Sequence, residues 1–205
     1  MVNKASVKDV NALVKIQRVV YPDNLNVAMG DYFLKEFFKV FMEFPGYKAL
    51  IARKDTEPVG YLLGYPYDKR NLLDKHLSSL FMKSIIRNPL LVFKKPVFRK
   101  IVVYVKKILI RTGSENTERL FDIDYSKAYY MFLIAITPDG RGLDLGRKLM
   151  LTMQELAEED GYEYFLGSVA SDNKKVLHLW STIGYSVIDV PGDNDKYVFK
   201  DATKK

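Results

Sequence analysis

Apolar residues recur at helical spacing over 6–20, where Val7, Val10, Leu13, Val14, Ile16 and Val20 follow Ser6, whose hydroxyl suits an N-cap. A second helical run, from Tyr32 to Met42, stops at Phe44-Pro45-Gly46. The pattern then changes. Tyr47 to Arg53 and Val59 to Tyr65 are rich in β-forming residues and flank the polar stretch Lys54-Asp55-Thr56-Glu57-Pro58, which predicts an antiparallel hairpin. Further along, the chain predicts a strand at 129–136, a helix at about 145–159 closed by Gly161 and a strand at 162–169. A helix at 173–183 closed by Gly184 and strands at 185–190 and 195–199 complete the chain. Helix, helix, hairpin, then strand and helix in alternation make an α/β (α+β) fold: a mixed sheet with helices on both faces.

The interval 66–128 interrupts that order. From Pro96 onward, Val97, Phe98, Ile101, Val102, Val105, Ile108 and Leu109 share one helical face, while Arg99, Lys100, Lys106 and Lys107 share another. Asn71 to Arg87 repeats the theme with Leu73, Leu77, Leu80, Phe81, Ile85 and Ile86. Two basic amphipathic helices are therefore expected, separated at Asn88-Pro89 and Lys95-Pro96.

Charge follows the same division. The chain of 205 residues carries 32 Lys/Arg and 25 Asp/Glu, a net charge of +7, and residues 69–111 hold 12 of the bases with one acid, Asp74. The remainder has 20 bases and 24 acids, so the basicity is local. It suits an anionic membrane surface or another phosphate-rich partner, of which nucleic acid is the less favoured. The plain alternative is that the apolar faces cover the core or a homodimer interface while the charges meet water. With no cysteine there is no disulfide, thiolate metal site or cysteine nucleophile, and no metal is expected. The N-terminal residues lack the apolar run of a signal peptide and no segment has about 18 uninterrupted apolar residues, so a cytoplasmic protein, peripherally membrane-associated at most, is expected.

The densest chemistry lies in 129–185. The strand Tyr130-Met131-Phe132-Leu133-Ile134-Ala135-Ile136 passes through Thr137-Pro138-Asp139-Gly140 into Arg141-Gly142-Leu143-Asp144-Leu145-Gly146-Arg147-Lys148 and a helix. Such a turn aims free backbone N–H groups and the positive end of the helix dipole at one spot, which suits phosphate.

The turn Arg141 to Gly146, followed by Asn173-Lys174-Lys175-Val176-Leu177-His178-Leu179-Trp180-Ser181-Thr182-Ile183-Gly184-Tyr185, resembles the acyl-CoA-binding half of the GNAT (GCN5-related) N-acetyltransferases. The resemblance implies one GNAT-like domain over 1–205, with a mostly antiparallel mixed sheet and a helical insertion at about 66–128. It implies acetyl-CoA as cosubstrate, its pyrophosphate held by Arg141, Gly142, Leu143, Asp144, Leu145, Gly146, Arg147 and Lys148, and its arm by Asn173 and the strand backbone at Ile134 and Ile136. Asp144 departs from the family's pattern, which has glycine there. A carboxylate beside a pyrophosphate is electrostatically costly, yet Asp tolerates the left-handed region and suits an N-cap, so reshaped binding is expected.

The amide of Ile136 corresponds to the donor that polarises the thioester. The family's glutamate base aligns with Tyr130, and its tyrosine acid with Trp180, whose indole is no useful acid at neutral pH. Asp122, Asp124, Tyr129 and Tyr130 are candidates to take the amine proton, with Tyr130 and Asp124 preferred; His178 and His76 read as surface residues. Within the resemblance, Arg87-Asn88-Pro89-Leu90-Leu91-Val92-Phe93-Lys94-Lys95-Pro96 is similar to an insertion in bacterial members associated with surface polysaccharide synthesis. That implies an amino sugar acceptor, small or lipid-linked. A catalytically degenerate GNAT-fold module that binds a membrane surface or polyanion is the competing expectation.

Overall fold

The computed structural model describes residues 1–110, 120–190 and 193–204, and for 103–110 the backbone alone. Seven strands form one sheet in the order β1-β2-β3-β4-β5-β7-β6: β1 Val2–Lys4, β2 Lys48–Lys54, β3 Glu57–Pro66, β4 Ala128–Ile136, β5 Tyr164–Ala170, β6 Ser186–Asp189 and β7 Asp195–Asp201. Every neighbouring pair is antiparallel except β4 with β5, which is parallel. The expected hairpin is β2–β3, turned at Asp55 with φ 53°. The short β1 precedes both expected helices and pairs with Leu50 to Ala52. It carries no period of its own, so its place is set by the edge that β2 leaves open.

Helices α1 Val10–Val20, α2 Leu25–Ala28, α3 Asp31–Glu43, α4 Arg70–Arg87 and α5 Lys95–Ile110 belong to the first two-thirds of the chain; α6 Leu145–Glu159 and α7 Lys174–Thr182 follow β4 and β5. The run after Ser6 opens as a 3-10 turn, Val7–Asp9, in which the Asp9 carboxylate accepts from the N–H of Ser6 at 2.8 Å and its hydroxyl at 2.9 Å. Pro96 lies in the first turn of α5 rather than breaking it, where its missing N–H has no intrahelical role. The two expected basic helices are thus present, joined by a 3-10 segment, Pro89–Phe93.

Alternation along the strands divides the core. Ala49, Ile51, Tyr61, Leu63 and Tyr65 pack beneath α1, α3 and α4, whereas Leu50, Ala52 and Leu62 pack beneath α6 and α7. β4 keeps the same division only by a bulge: its register to β3 slips between Leu63↔Leu133 and Gly64↔Met131. Phe132 is the extra residue, so Phe132 and Leu133 face the α1–α3 side in succession while Met131, Ile134 and Ile136 face α6. The apolar face of α4 is genuine core: Leu73 and Leu80 are buried there, and Leu91 and Val97 join them. Ile86 and Phe98, assigned by period to the same faces, are exposed instead.

Candidate acyl-CoA and acceptor site

β4 and β5 pair only at Ala128↔Tyr164, Tyr129↔Phe165 and Tyr130↔Leu166; beyond Tyr130 they diverge. The free side of β4 can be identified. The Thr137 N–H donates to the Val59 carbonyl at 2.8 Å, so Ala135 and Leu133 continue the bonded pairs with β3. The N–H and C=O groups of Ile134 and Ile136 then point away from β3, toward the gap left by β5. The Ile134 carbonyl confirms the phase, since it accepts from the Tyr21 hydroxyl at 2.6 Å. An open strand edge with outward amides at Ile134 and Ile136 results, bordered on its far side by Gly167 and Ser168 of β5.

Directly after this edge the chain makes the turn that opens α6. Gly140 is buried so tightly that a Cβ there would lie 3.0 Å from Ile136 Cγ2 and 3.1 Å from Val59. Gly142 (φ +78°) and Asp144 (φ 57°) both adopt the left-handed region, and Arg141 through Asp144 are exposed. Lys148 makes the first bond of the helix, its N–H donating to the Asp144 carbonyl at 3.1 Å. The amides of Asp144, Leu145, Gly146 and Arg147 consequently have no partner among the described residues. Asp144 occupies the N-cap position but its side chain makes no capping bond, so the expected cap is a backbone conformation rather than a carboxylate contact. Gly146 has a packing reason: a Cβ there would lie 3.1 Å from Leu179 Cδ2 and 3.3 Å from Ile136 Cδ1, where α6, α7 and β4 meet. Arg147 and Lys148 are exposed on the first turn. Asn173 caps α7, its Oδ1 accepting from the Val176 N–H at 3.4 Å, which leaves the side-chain NH2 outward.

The remaining chemistry gathers at the mouth of the gap. A cavity of about 430 Å³ is lined by Tyr65, Tyr67, Tyr125, Tyr130, Phe132 and Tyr197, with Arg70, Asp74, Ser168 and Asp193 as its polar groups. Tyr130 donates to Ser168 Oγ at 2.8 Å, and burial, first among several influences, raises its pKa above the ordinary phenol value. Its hydroxyl is therefore neutral near pH 7. The Asp193 carboxylate accepts from the Tyr197 hydroxyl at 2.7 Å, a bond that holds Asp193 low and pushes Tyr197 up to about 12. Arg70 lies near the Tyr67 ring, 6.0 Å from its centre, and 3.9 Å from Asp74.

Asp124 is outside this lining. It caps the 3-10 turn Tyr125–Lys127, accepting from the Ser126 hydroxyl at 2.7 Å and N–H at 3.0 Å, and those bonds lower its pKa. Asp122 and His178 are exposed, and Tyr129 is buried on the opposite face with its hydroxyl on the Gly46 carbonyl at 3.2 Å. Trp180 is buried edge-on to Tyr185, ring centres 4.5 Å apart, and its indole N–H finds no acceptor among the described residues. His76 stacks edge-on to Phe44 at 5.0 Å. The cavity's Asp74, Asp193 and Tyr197 escape a sequence reading because four separate segments bring the lining together. Among the described residues no cluster of His, Cys, Asp or Glu could hold a metal ion, and no helix is long and apolar enough to cross a membrane.

The acetyltransferase (GNAT) family model matches residues 113–185, a span that includes β4, the turn, α6, β5 and α7. No curated protein matches the chain. Among solved structures, yncA, a putative acetyltransferase from Salmonella typhimurium with its cofactor acetyl-CoA, is 13% identical with TM-score 0.60 over 100% of this chain and 95% of its own. An aminoglycoside 6'-acetyltransferase type Ii is 12% identical with TM-score 0.61 over 100% and 99%. The PaiA N-acetyltransferase from Thermoplasma acidophilum, in complex with coenzyme A, is 12% identical with TM-score 0.58 over 98% of each chain. At such identities the likeness is one of fold, and the sheet flanked by helices is that fold. The family match thus falls on the stretch that builds both the open strand edge and the unpartnered helix start, and residues 113–185 are similar to the acetyltransferase (GNAT) family.

Proposed function

We propose that the protein is an acetyl-CoA-dependent N-acetyltransferase whose acceptor is the primary amine of an amino sugar. The observation that carries this reading is the continuity of two binding surfaces: the outward amides of Ile134 and Ile136, and the free amides at Asp144 to Arg147, which begin eight residues after Ile136. The first suits an extended amide-bearing arm laid along a strand edge; the second suits a pyrophosphate, with Arg141, Arg147 and Lys148 as counter-charge. Gly142, Leu143, Leu145 and Gly146 contribute backbone and close packing, and Asn173 offers its side-chain NH2 to the arm.

In the reaction the amine nitrogen attacks the thioester carbonyl, a C–N bond forms, the C–S bond breaks and CoA leaves as thiolate. An outward amide at Ile136, with Ile134 beside it, donates to the oxygen that gains charge. The ammonium must first lose a proton. Tyr130 is neutral, so it relays a proton through Ser168 rather than acting as a standing base, while Asp124, outside the cavity lining and bonded to Ser126, is left out of the relay. Tyrosine faces suit the C–H surface of a sugar ring, while Asp74, Asp193 and Arg70 suit its amine and hydroxyls. The alternative of a silent binding module has less in its favour, because neither binding surface is blocked.

The test has two stages. Coenzyme A at millimolar concentration is expected to raise the melting temperature, and Arg141→Ala combined with Gly146→Val is expected to abolish the rise. Mass-spectrometric screening of amino sugars and their nucleotide-linked forms against plain diamines then identifies the acceptor. No melting shift sinks the transferase; acetylation confined to diamines sinks the sugar.

A further inference from the structure

We propose that the corner formed by the end of α4, the 3-10 segment Pro89–Phe93 and the start of α5 docks on an anionic bilayer. Large apolar side chains are concentrated there on the outside of the protein: Ile86 is 75% exposed, Leu90 71%, Phe93 83% and Phe98 57%. They are not needed to hold the segment in place. Leu80, Ser84, Leu91 and Val97 are buried, so the stretch from Leu80 to Phe98 carries core residues as well as outward apolar ones. Four large exposed apolar groups so close together exceed the scattered single residues that any soluble surface shows.

Cations are interspersed with these apolar residues along the chain. Lys83, Arg87, Lys94, Lys95, Arg99 and Lys100 are all exposed, and none forms an ion pair among the described residues. Two are tied to the body of the protein: the Arg87 guanidinium lies 4.6 Å from the centre of the Tyr32 ring, and Lys94 Nζ donates to the Ala28 carbonyl at 2.8 Å. The patch is therefore attached to the fold through its charges as well as its core face. Apolar side chains at the depth of the acyl boundary, with Lys and Arg at head-group level, form the arrangement that an anionic membrane interface accepts.

Charge decides among occupants. A second copy of the chain would bring the same cations face to face across the symmetric contact and repel. A nucleic acid satisfies the cations but leaves Ile86 and Leu90, which have no ring to stack on a base, in water. An anionic lipid surface satisfies both sets at once.

The experiment uses the full chain with sedimentable vesicles of phosphatidylcholine alone or with about one-third phosphatidylglycerol. Binding is expected to the mixed vesicles, to be absent from phosphatidylcholine and to weaken as salt is raised. Leu90→Ser with Phe93→Ser is expected to weaken partitioning about tenfold or more. The melting curve of the same variant shows whether it folds, and Ile86→Ser with Phe98→Ser serves as an independent pair. The proposal is overturned if the protein ignores phosphatidylglycerol vesicles, or if both variant pairs sediment as the parent does. It also fails if the only effect of the variants is on self-association. None of these outcomes bears on the melting shift with coenzyme A, so docking and transferase readings stand or fall separately.

Discussion

At the scale of single residues, Asp144 is the clearest conflict between fold and ligand. It sits at φ 57°, where glycine is unstrained, and places a carboxylate among amides that suit a pyrophosphate. Its side chain makes no capping bond that would offset either cost. Asp144→Gly is therefore expected to lower the KM for acetyl-CoA about two- to fivefold, from the roughly 0.5–1 kcal/mol that one charge is worth at a helix start. The gain should shrink as ionic strength rises, which steady-state kinetics at two salt concentrations would reveal. Tyr130 presents the opposite case, a residue held by its surroundings. Its ring lies 5.4 Å from that of Tyr65 and its hydroxyl bonds Ser168, while burial keeps the phenol neutral through the physiological range. Tyr130→Phe should cost about 1 kcal/mol of stability for the lost hydrogen bond. If the hydroxyl relays a proton, kcat falls with KM for acetyl-CoA unchanged; an unaltered kcat would remove Tyr130 from the catalytic role.

Among the elements, the bulge in β4 does most to shape the site, because it lets one strand serve two faces out of step. Gly64 stands opposite it, and a Cβ there would come within 2.6 Å of Tyr129 Cε1 and 3.1 Å of the Tyr130 carbonyl. Gly64→Ala is expected to cost about 1–3 kcal/mol by overpacking, seen as a lower urea midpoint at constant m-value. A neutral outcome would mean that the strand can shift freely at the bulge. Period and turn chemistry made β2 to β7 and the long helices legible in the sequence, with ends displaced by one or two residues except at α1, where a 3-10 turn takes the first expected turn and the α-helix begins at Val10. They also located the turn at Arg141 to Gly146, since glycines and a helix start leave local marks. The divergence of β4 from β5 left no such mark: it depends on where pairing stops, which no residue between 131 and 136 announces. The tyrosine-lined cavity was hidden for a related reason. Asp193 and Asp74 are 119 positions apart and meet only through the sheet order, while Asp124, locally plausible, is spent on its own 3-10 turn.

The whole molecule buries many phenols, and that gives its stability a defined alkaline limit. Tyr61, Tyr65, Tyr129, Tyr130 and Tyr185 all have pKa values raised chiefly by burial, from an ordinary value of 10.0. They lie on both faces of the sheet, so no single helix can open to relieve them. A raised folded value means that the folded chain holds the proton more tightly than the unfolded one. The stabilising contribution is complete below pH 10 and is lost as pH rises toward the folded values. The melting temperature should therefore be little affected by these groups between pH 7 and 9 and fall steeply above pH 10. Tyrosinate absorbance near 295 nm should show exposed tyrosines ionising first, and then a cooperative step that coincides with loss of far-ultraviolet circular dichroism. Smooth titration of all the phenols with the helices intact would mean that water reaches the rings from within the folded state, and the sheet would then be far looser than its packing implies.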